Sequence, residues 1–528
     1  MGYSDSFRRI KRDPGPPTFD HGIRIMHRPN RPPTVLARAW SLLLGATLLL
    51  LPGALLAQAP ASPGPVHAPA PPGPTAAQIA SIDSIFAEWD DPRAPGAAVA
   101  VTRDGRLIYS QGYGSAQLEH LIPVTSVTVF HVASVSKQFT TFAIALLARD
   151  GLLSWDDEVG DHIEEFPDFD RSITLRHLAT HTSGVRDQWE LLRMAGWRLD
   201  DVITRDQILR LMARQQELNF EPGSAYLYSN MGYSLLAEVV ERVSGQDFDE
   251  FLQERVFRPL GMHRTHVHSD HQMVVPGRAY SYAPAGEGHW RKAVLSYANQ
   301  GATSLFTTVE DLARWIGEFE EPLVGDPELW AEMRERAALT TGDTADYALG
   351  LQIASYRGLR TIGHGGADAG FRTNLMHFPD ERIGVVVFGN ASNFNAAGSA
   401  RAVAEVFLDA QMEPRVVATG EGGGGQGGND VADPPNPSLA QLAEYEGTYY
   451  SVELDSWYRV RLVDGELQLE HPRHPDATLR YIEDDRLQGG TLRTLEFSRD
   501  SAGAIDGFRA GGGRVLNLRF ERIADPAG

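Results

Sequence analysis

The amino-acid sequence predicts an α/β domain, an antiparallel sheet flanked by helices, followed by a small all-β barrel domain. The first observation is a hairpin pattern at 97–109, where two apolar runs flank the turn residues Asp104 and Gly105. The second is the return of strand-like runs between 348 and 388 after a largely helical middle part, so strands from both ends should pair in one sheet. The third is the stretch after 438, whose short segments of alternating apolar and polar residues are divided by turns and favour a barrel or a sandwich.

Composition divides the 528 residues into five segments. Residues 1–61 are expected to hold an N-terminal extension and a signal peptide, and 62–76 a tether rich in proline and alanine. The α/β domain is expected at 77–416. A glycine-rich linker at 417–437 then leads to the barrel domain at 438–528, because glycine runs lack the side chains that a packed core needs.

An export signal is predicted within the first segment. Met26 is followed by several arginines, an apolar run that ends near Leu51 and small residues up to Ala61, which is the order of a secretory signal peptide. The run is interrupted by glycine, threonine and proline and is short for a membrane span. We therefore expect an exported protein, periplasmic or extracellular. A signal segment that stayed uncleaved would permit transient membrane association.

Composition also narrows the chemistry. The 69 acidic against 48 basic residues leave a net charge of -21, which repels phosphate backbones, so nucleic acid is not expected as a partner. The chain contains no cysteine, which excludes thiolate catalysis and cysteine-zinc sites. Histidines at 263–271 with Asp270 offer a metal-binding alternative, but a polar loop is the simpler interpretation. We expect a small-molecule or peptide substrate, no metal and no cofactor.

The segment 134–137 reads Ser-Val-Ser-Lys and precedes an apolar stretch that should form a buried helix. A spacing of three residues places Ser134 and Lys137 on one face of a helix. The chain has three lysines, Lys11, Lys137 and Lys292. The rest of its 48 lysine and arginine residues are arginine. Because arginine cannot release its proton in a protein whereas a buried lysine can, a lysine here fits a general base that activates Ser134.

Four further segments occur in an order typical of one enzyme family. They are Thr-His-Thr-Ser-Gly at 180–184, Tyr-Ser-Asn at 228–230, a threonine and Asp-Leu-Ala pattern at 307–315, and His-Gly-Gly at 364–366. With the serine–lysine pair they resemble the β-lactamase-related serine hydrolases, which include class C β-lactamases, penicillin-binding proteins and esterase-like enzymes. The resemblance covers most of 80–410 and implies a β-lactamase/transpeptidase-like fold. The C-terminal segment resembles the lipocalin-like domains appended to some of these enzymes.

The resemblance implies roles for the residues around the serine. Ser134 would be the nucleophile, Tyr228 would lie near it and share the proton relay, and Asn230 would orient the substrate or Lys137. A tyrosine between two cations can be pushed toward phenolate, so either Lys137 or Tyr228 could be the base. We favour Lys137 for acylation.

The His-Gly-Gly segment departs from the β-lactamase pattern. His364 and Gly365 stand where β-lactamases carry lysine and then threonine or serine, and this weakens binding of a substrate carboxylate. Gly365 and Gly366 let the backbone approach the substrate closely, and Ala367 would offer a second oxyanion N–H alongside that of Ser134. Esterase-like and aminopeptidase-like relatives resemble this form better.

The predicted function is hydrolysis of an amide or ester through an acyl-enzyme on Ser134. The expected substrate is a small peptide, a D-amino-acid derivative or an ester. Two alternatives stay open: a β-lactamase or D-Ala-D-Ala carboxypeptidase, and a non-catalytic penicillin-binding sensor that is acylated by cell-wall fragments. Burst kinetics without steady turnover would select the sensor.

Overall fold

The computed structural model describes residues 71–415 and 437–524, which belong to one compact unit. The predicted signal region at 1–61, the first part of the tether and nearly all of the linker at 417–437 lie outside the described residues. Their assignments therefore stay predictions. Within the described ranges, no helix combines the length and the apolar character needed to cross a membrane.

The strands belong to a central sheet, a closed barrel and three small accessory sheets. In chain order they are β1 Ala97–Arg103, β2 Arg106–Tyr113, β3 Ser115–Gln117, β4 Ile122–Pro123, β5 Phe130–His131, β6 His266–Val267, β7 Tyr282–Pro284, β8 Trp290–Lys292, β9 Leu305–Thr307, β10 Gln352–Tyr356, β11 Leu359–Asp368, β12 Phe371–Phe378, β13 Ile383–Gly389, β14 Gly447–Ser451, β15 Ser456–Val463, β16 Glu466–His471, β17 His474–Glu483, β18 Arg486–Gly489, β19 Arg493–Arg499, β20 Ile505–Gly512 and β21 Val515–Ile523.

The helices fall mainly between β5 and β10, as the sequence predicted. In chain order they are α1 Ala76–Phe86, α2 Lys137–Arg149, α3 Val159–His162, α4 Leu175–Ala179, α5 Gln188–Met194, α6 Arg205–Ala213, α7 Asn230–Ser244, α8 Phe248–Leu252, α9 Val309–Glu320, α10 Pro327–Met333, α11 Ala396–Leu408 and α12 Leu439–Ala443, with 3₁₀ turns at Ala87–Trp89, Ala133–Ser136 and Asp409–Gln411 and a π turn at Gln253–Phe257.

The central sheet has the order β10-β11-β12-β13-β1-β2, with antiparallel neighbours throughout. Strands from the beginning and the end of the α/β domain meet where β1 pairs with β13, which confirms the predicted pairing. Side chains alternate between faces along a strand, so Ala98 and Ala100 join the larger core with α2 and α9, while Val99 and Val101 pack with α1 and α11. Burial of both faces explains the nearly continuous apolar runs of β1 and β13.

The C-terminal domain is a closed antiparallel barrel formed by β14 to β21. The barrel confirms one of the two predicted all-β architectures and excludes the sandwich. The alternating segments of the sequence at 458–463, 467–469, 492–497, 505–508 and 515–520 correspond to β15, β16, β19, β20 and β21, whereas β14, β17 and β18 were not expected. In β17 the reason is visible, because Pro475 and Asp476 have low strand propensity, yet closure of the barrel pairs this segment on both sides.

Candidate active site

Ser134 lies in the 3₁₀ turn that leads directly into α2. The residue before it, Ala133, has a φ of 50°, a left-handed conformation that is unfavourable for a residue with a Cβ. Backbone strain of this kind persists only where the surroundings enforce it, and it is concentrated at functional sites. The turn leaves the Ser134 side chain partly exposed, whereas Lys137 is fully buried.

Strand β11 passes unusually close to this turn. A Cβ added at Gly366 would lie 2.3 Å from the Val132 carbonyl oxygen and 2.3 Å from Thr373 Oγ1, so a larger residue cannot be accommodated without movement. The Thr373 hydroxyl donates a hydrogen bond of 2.9 Å to the same Val132 carbonyl. Gly366, the second glycine of the His-Gly-Gly segment, is therefore required so that β11 can pack against the turn that carries Ser134.

Lys137 has three polar neighbours at its Nζ atom. It donates to Asn230 Oδ1 at 2.8 Å and to the Ala302 carbonyl at 2.7 Å, and Ser134 Oγ lies at 3.3 Å. Burial lowers the pKa of Lys137 well below its ordinary value, and the Arg514 guanidinium acts in the same direction against the opposing Asp187. A neutral amine has two protons and one lone pair. When the amine is neutral, the two carbonyl-type oxygens can accept its two protons, which leaves the lone pair for the Ser134 hydroxyl.

Asn230 is held in one orientation by Asp187, a buried residue that the sequence analysis did not select. Asp187 Oδ2 accepts hydrogen bonds from Asn230 N and Nδ2, both at 2.7 Å, while its Oδ1 caps α5 by accepting from Trp189 N and Glu190 N. Because a carboxylate here only accepts, the amide nitrogen of Asn230 must face Asp187 and its oxygen must face Lys137. Asp187 thus fixes the acceptor that orients the lysine.

Tyr228 packs beside the side chains of Lys137 and Arg514. Lys137 Nζ lies 4.9 Å and Arg514 Cζ 4.7 Å from the centroid of its ring. The hydroxyl is buried and has no hydrogen-bond partner of normal geometry in the described chain. Burial raises the pKa of Tyr228, and the nearby Ser134 hydroxyl and Arg514 guanidinium only partly oppose this. Tyr228 is therefore a neutral phenol in this arrangement.

His364 is a neutral imidazole. Its Nδ1 lies 2.5 Å from the Gly365 carbonyl oxygen, which can only accept, so Nδ1 carries the proton. Its Nε2 then accepts from the Tyr347 hydroxyl at 2.9 Å. Burial, reinforced by the field of Lys137, lowers the pKa of His364 to about 3. The strand position where β-lactamases carry lysine consequently has no charge in this chain.

The structure brings the sequence-predicted residues together around one cavity of about 900 Å³. Its lining includes Ser134, Tyr228, Asn230, His364, Gly365, Gly366 and Ala367, and Lys137 lies buried behind the nucleophile. Ala367 is exposed. The catalytic and substrate-binding roles assigned to these residues from the sequence stay predictions, but their predicted proximity is observed.

Three further contributors to the site were missed by the sequence analysis: Asp187, the Ala302 carbonyl and Arg514. Asp187 carried a weak signal, since an aspartate directly before the helical segment 188–194 is typical of an N-cap. A backbone carbonyl leaves no signal in a sequence. Arg514 comes from the turn between β20 and β21 of the barrel, and no local pattern indicates that this turn reaches the cavity.

Two of the histidines considered as metal ligands, His266 and His268, pack against an aromatic ring. His266 stacks on Phe306 with ring centroids 5.5 Å apart, and His268 lies 4.8 Å from the same ring. Across 71–415 and 437–524, no group of three or more His, Cys, Asp or Glu side chains is arranged to hold a metal ion. The proposed chemistry at Ser134 needs none.

Comparison with known proteins is consistent with this geometry. The chain is 29% identical over 400 residues to a D-aminopeptidase of Gluconobacter oxydans (strain 621H), covering 75% of this chain and 71% of that protein. A D-aminopeptidase of Cereibacter sphaeroides (strain ATCC 17029) is also 29% identical, over 67% of this chain and 66% of its own length, so the match spans about two thirds of such relatives.

Solved structures show the same fold. The octameric penicillin-binding protein homologue from Pyrococcus abyssi superposes with a TM-score of 0.55 at 22% identity, covering 84% of this chain and 99% of that one. The D-amino acid amidase from Ochrobactrum anthropi SV3 gives 0.54 at 20% identity, over 63% of this chain and 99% of the amidase. A family model described as Beta-lactamase matches residues 82–408, which is more than half of the chain. The chain therefore belongs to the beta-lactamase family.

Proposed function

We propose that this protein is a serine hydrolase that cleaves the amide bond of small D-amino-acid derivatives through an acyl-enzyme on Ser134. The observation that carries the proposal is the position of the buried Lys137 Nζ, which lies 2.8 Å from Asn230 Oδ1, 2.7 Å from the Ala302 carbonyl oxygen and 3.3 Å from Ser134 Oγ. The D-aminopeptidases among its relatives support the substrate class.

Acylation follows from these positions. As Ser134 Oγ attacks the substrate carbonyl carbon, its proton passes to Lys137 Nζ, which becomes an ammonium ion. The new ammonium is stabilised by Asn230, because that amide oxygen is backed by the Asp187 carboxylate. The oxyanion of the tetrahedral intermediate would be bound by the N–H groups of Ser134 and Ala367.

The leaving nitrogen needs a proton, and Tyr228 is suited to give it. Its hydroxyl is neutral because burial raises its pKa, so it can donate to the nitrogen and take a proton back from Lys137. This division of labour favours Lys137 as the base and Tyr228 as the acid. Water then attacks the acyl-enzyme carbonyl, and the same groups act in reverse to release the acid and restore Ser134.

The neutral His364 weighs against the β-lactamase alternative. A β-lactam carries a carboxylate, and a neutral imidazole bonded to Tyr347 offers that carboxylate no ionic partner. The penicillin-binding sensor differs from an enzyme only in deacylation, so kinetics separate the two. We also retain the proposal that the protein is exported.

A substrate panel with two chiral forms tests the proposal. Purified full-length protein should hydrolyse D-alanine p-nitroanilide faster than its L-enantiomer and should turn over nitrocefin poorly. A fluorophosphonate probe should label Ser134, since a serine paired with a base reacts readily, and Ser134→Ala should abolish both turnover and labelling. Labelling at a different serine, or a burst on every substrate without steady turnover, would contradict the enzyme.

A further inference from the structure

The turn between β20 and β21 places two barrel residues at the cavity of the α/β domain. The residues of this turn, Gly513 and Arg514, both line the cavity that contains Ser134. Gly513 has a φ of 63°, and an added Cβ would lie 2.9 Å from Glu190 Oε1, so the turn packs tightly on α5. The positive φ therefore favours glycine at this position.

The backbone of the turn is clamped by a side chain of the α/β domain. Asn219 Nδ2 donates to the Arg514 carbonyl at 3.0 Å, and Asn219 Oδ1 accepts from Leu516 N at 2.8 Å. The buried Arg186 adds bonds to the Leu516 carbonyl at 3.1 and 3.3 Å. These bonds hold the backbone of the turn, so Arg514 starts from a fixed position at the cavity, and its guanidinium lies 4.7 Å from the centroid of the Tyr228 ring.

The guanidinium itself is left with open donors. Among the described residues it makes no hydrogen bond to an acceptor; its nearest charged neighbour is Asp187, at 3.7 Å, which is longer than an N–H···O bond. Asp187 is already bonded twice to Asn230. The Arg514 side chain is 42% exposed, so its planar fork is accessible from the cavity. Such a fork matches a carboxylate by two parallel hydrogen bonds.

Arg372, the other arginine that lines the cavity, donates hydrogen bonds to backbone carbonyls of its own strand connection. Arg372 Nη1 donates to the Phe371 carbonyl at 2.7 Å and to the Ala369 carbonyl at 3.2 Å. Arg514 instead lies over the ring of Tyr228, whose hydroxyl is the proton donor to the leaving nitrogen in the proposed function. The C-terminal carboxylate of an amino-acid leaving group is only two bonds from that nitrogen. It therefore falls on the same side of the cavity as Arg514.

We propose that Arg514 is a specificity-determining residue that binds a carboxylate on the leaving group, so that the preferred substrates are peptides with a free C-terminal carboxylate rather than simple amides. The inference rests on the proposed serine-hydrolase function. It gives the barrel domain a direct part in substrate selection.

Two matched substrate pairs test this inference on the full-length chain. The first pair is D-alanyl-glycine and D-alanyl-glycinamide, and the second is 3-carboxyphenyl acetate and phenyl acetate; within each pair only the leaving-group carboxylate changes. The readout is the ratio of kcat/KM between the two members. Charge-assisted hydrogen bonds to arginine are expected to favour the carboxylate by about 10- to 100-fold.

Arg514→Gln should remove most of that preference, mainly through KM, and Arg514→Lys should retain part of it because a point charge remains. Arg480→Gln is the matched control, since Arg480 lies exposed on β17 and bonds only to Gln488 among the described residues. It should leave the ratio unchanged. If Arg514→Gln slowed both members of each pair equally, Arg514 would be a positioning residue for the site and the inference would be wrong.

The two proposals can fail separately. An Arg514-dependent preference in the ester pair, with no hydrolysis of either D-alanyl compound, would reject the proposed amide substrate and keep the carboxylate subsite. Hydrolysis of both D-alanyl compounds at equal rates by the unaltered chain would keep the proposed amide substrate and reject the carboxylate subsite. Wild-type protein that ignores the carboxylate in both pairs overturns the inference.

Discussion

Replacing Lys137 with arginine separates the charge of this residue from its ability to accept a proton. Arginine keeps a cation near Asn230 and the Ala302 carbonyl, which are the two acceptors that Nζ contacts at 2.8 and 2.7 Å. It has no lone pair for the Ser134 proton. If Lys137 is the base, Lys137→Arg should lose as much activity as Lys137→Ala. The expected loss is about 10²- to 10⁴-fold in kcat/KM, or roughly 3–5 kcal/mol of transition-state stabilisation.

The assay is hydrolysis of D-alanine p-nitroanilide followed from acid to alkaline pH. In the unaltered enzyme kcat/KM should rise with pH, because the active form of Lys137 is the deprotonated one. Since burial lowers its pKa, the midpoint of that rise should lie well below the 10.5 of an exposed lysine. The rise should be absent in Lys137→Arg.

The same substitution at Lys292 provides the matched control. Lys292 lies on β8 with 46% of its side chain exposed, and its Nζ is 3.8 Å from Glu119, so Lys292→Arg should leave the rate unchanged. Circular dichroism and thermal unfolding should show that both variants are folded. A folded Lys137→Arg enzyme that keeps more than about a tenth of wild-type kcat/KM, a deficit of only ~1.4 kcal/mol, would refute Lys137 as base and favour Tyr228.

Stability, packing and metal dependence give further expected outcomes. Arg186→Ala should lower the free energy of urea unfolding by about 3–5 kcal/mol, because it leaves the Glu453 carboxylate, 2.8 Å away, buried without its ionic partner. The double variant with both residues changed to methionine should recover most of this loss, and equal losses in the two variants would refute the coupling. Gly366→Ala should slow fluorophosphonate labelling, since the new Cβ would lie 2.3 Å from the Val132 carbonyl and push β11 from the nucleophile; an unchanged labelling rate would contradict this. Overnight dialysis against a chelator should not change the hydrolysis rate, and a loss restored by zinc would instead implicate a metal.

The sequence was sufficient where structure depends on neighbours along the chain. The turn at Asp104 and Gly105 needs two left-handed residues, and they have φ angles of 50° and 69° in the observed hairpin. Ser134 and Lys137 are three residues apart, which is close to one helical turn, so their side chains lie on one face. Lys137 Nζ is accordingly 3.3 Å from Ser134 Oγ. The barrel strand β17 was missed because its local propensity is poor and only closure of the sheet stabilises it.

The sequence by itself determined the fold class through its periodicity. It indicated Ser134 and Lys137 through their spacing, the scarcity of lysine in the chain and the resemblance to a known family. Only the tertiary structure decided that the pKa of Lys137 is lowered well below its ordinary value and which way Asn230 faces. The pKa of Lys137 depends on burial by distant segments, and the orientation of Asn230 depends on Asp187, which lies 43 residues away. Arg514 is the extreme case, because its place in the cavity is set by packing between two domains. Contacts of this kind follow from the sum of many long-range interactions, and no local pattern of residues specifies them.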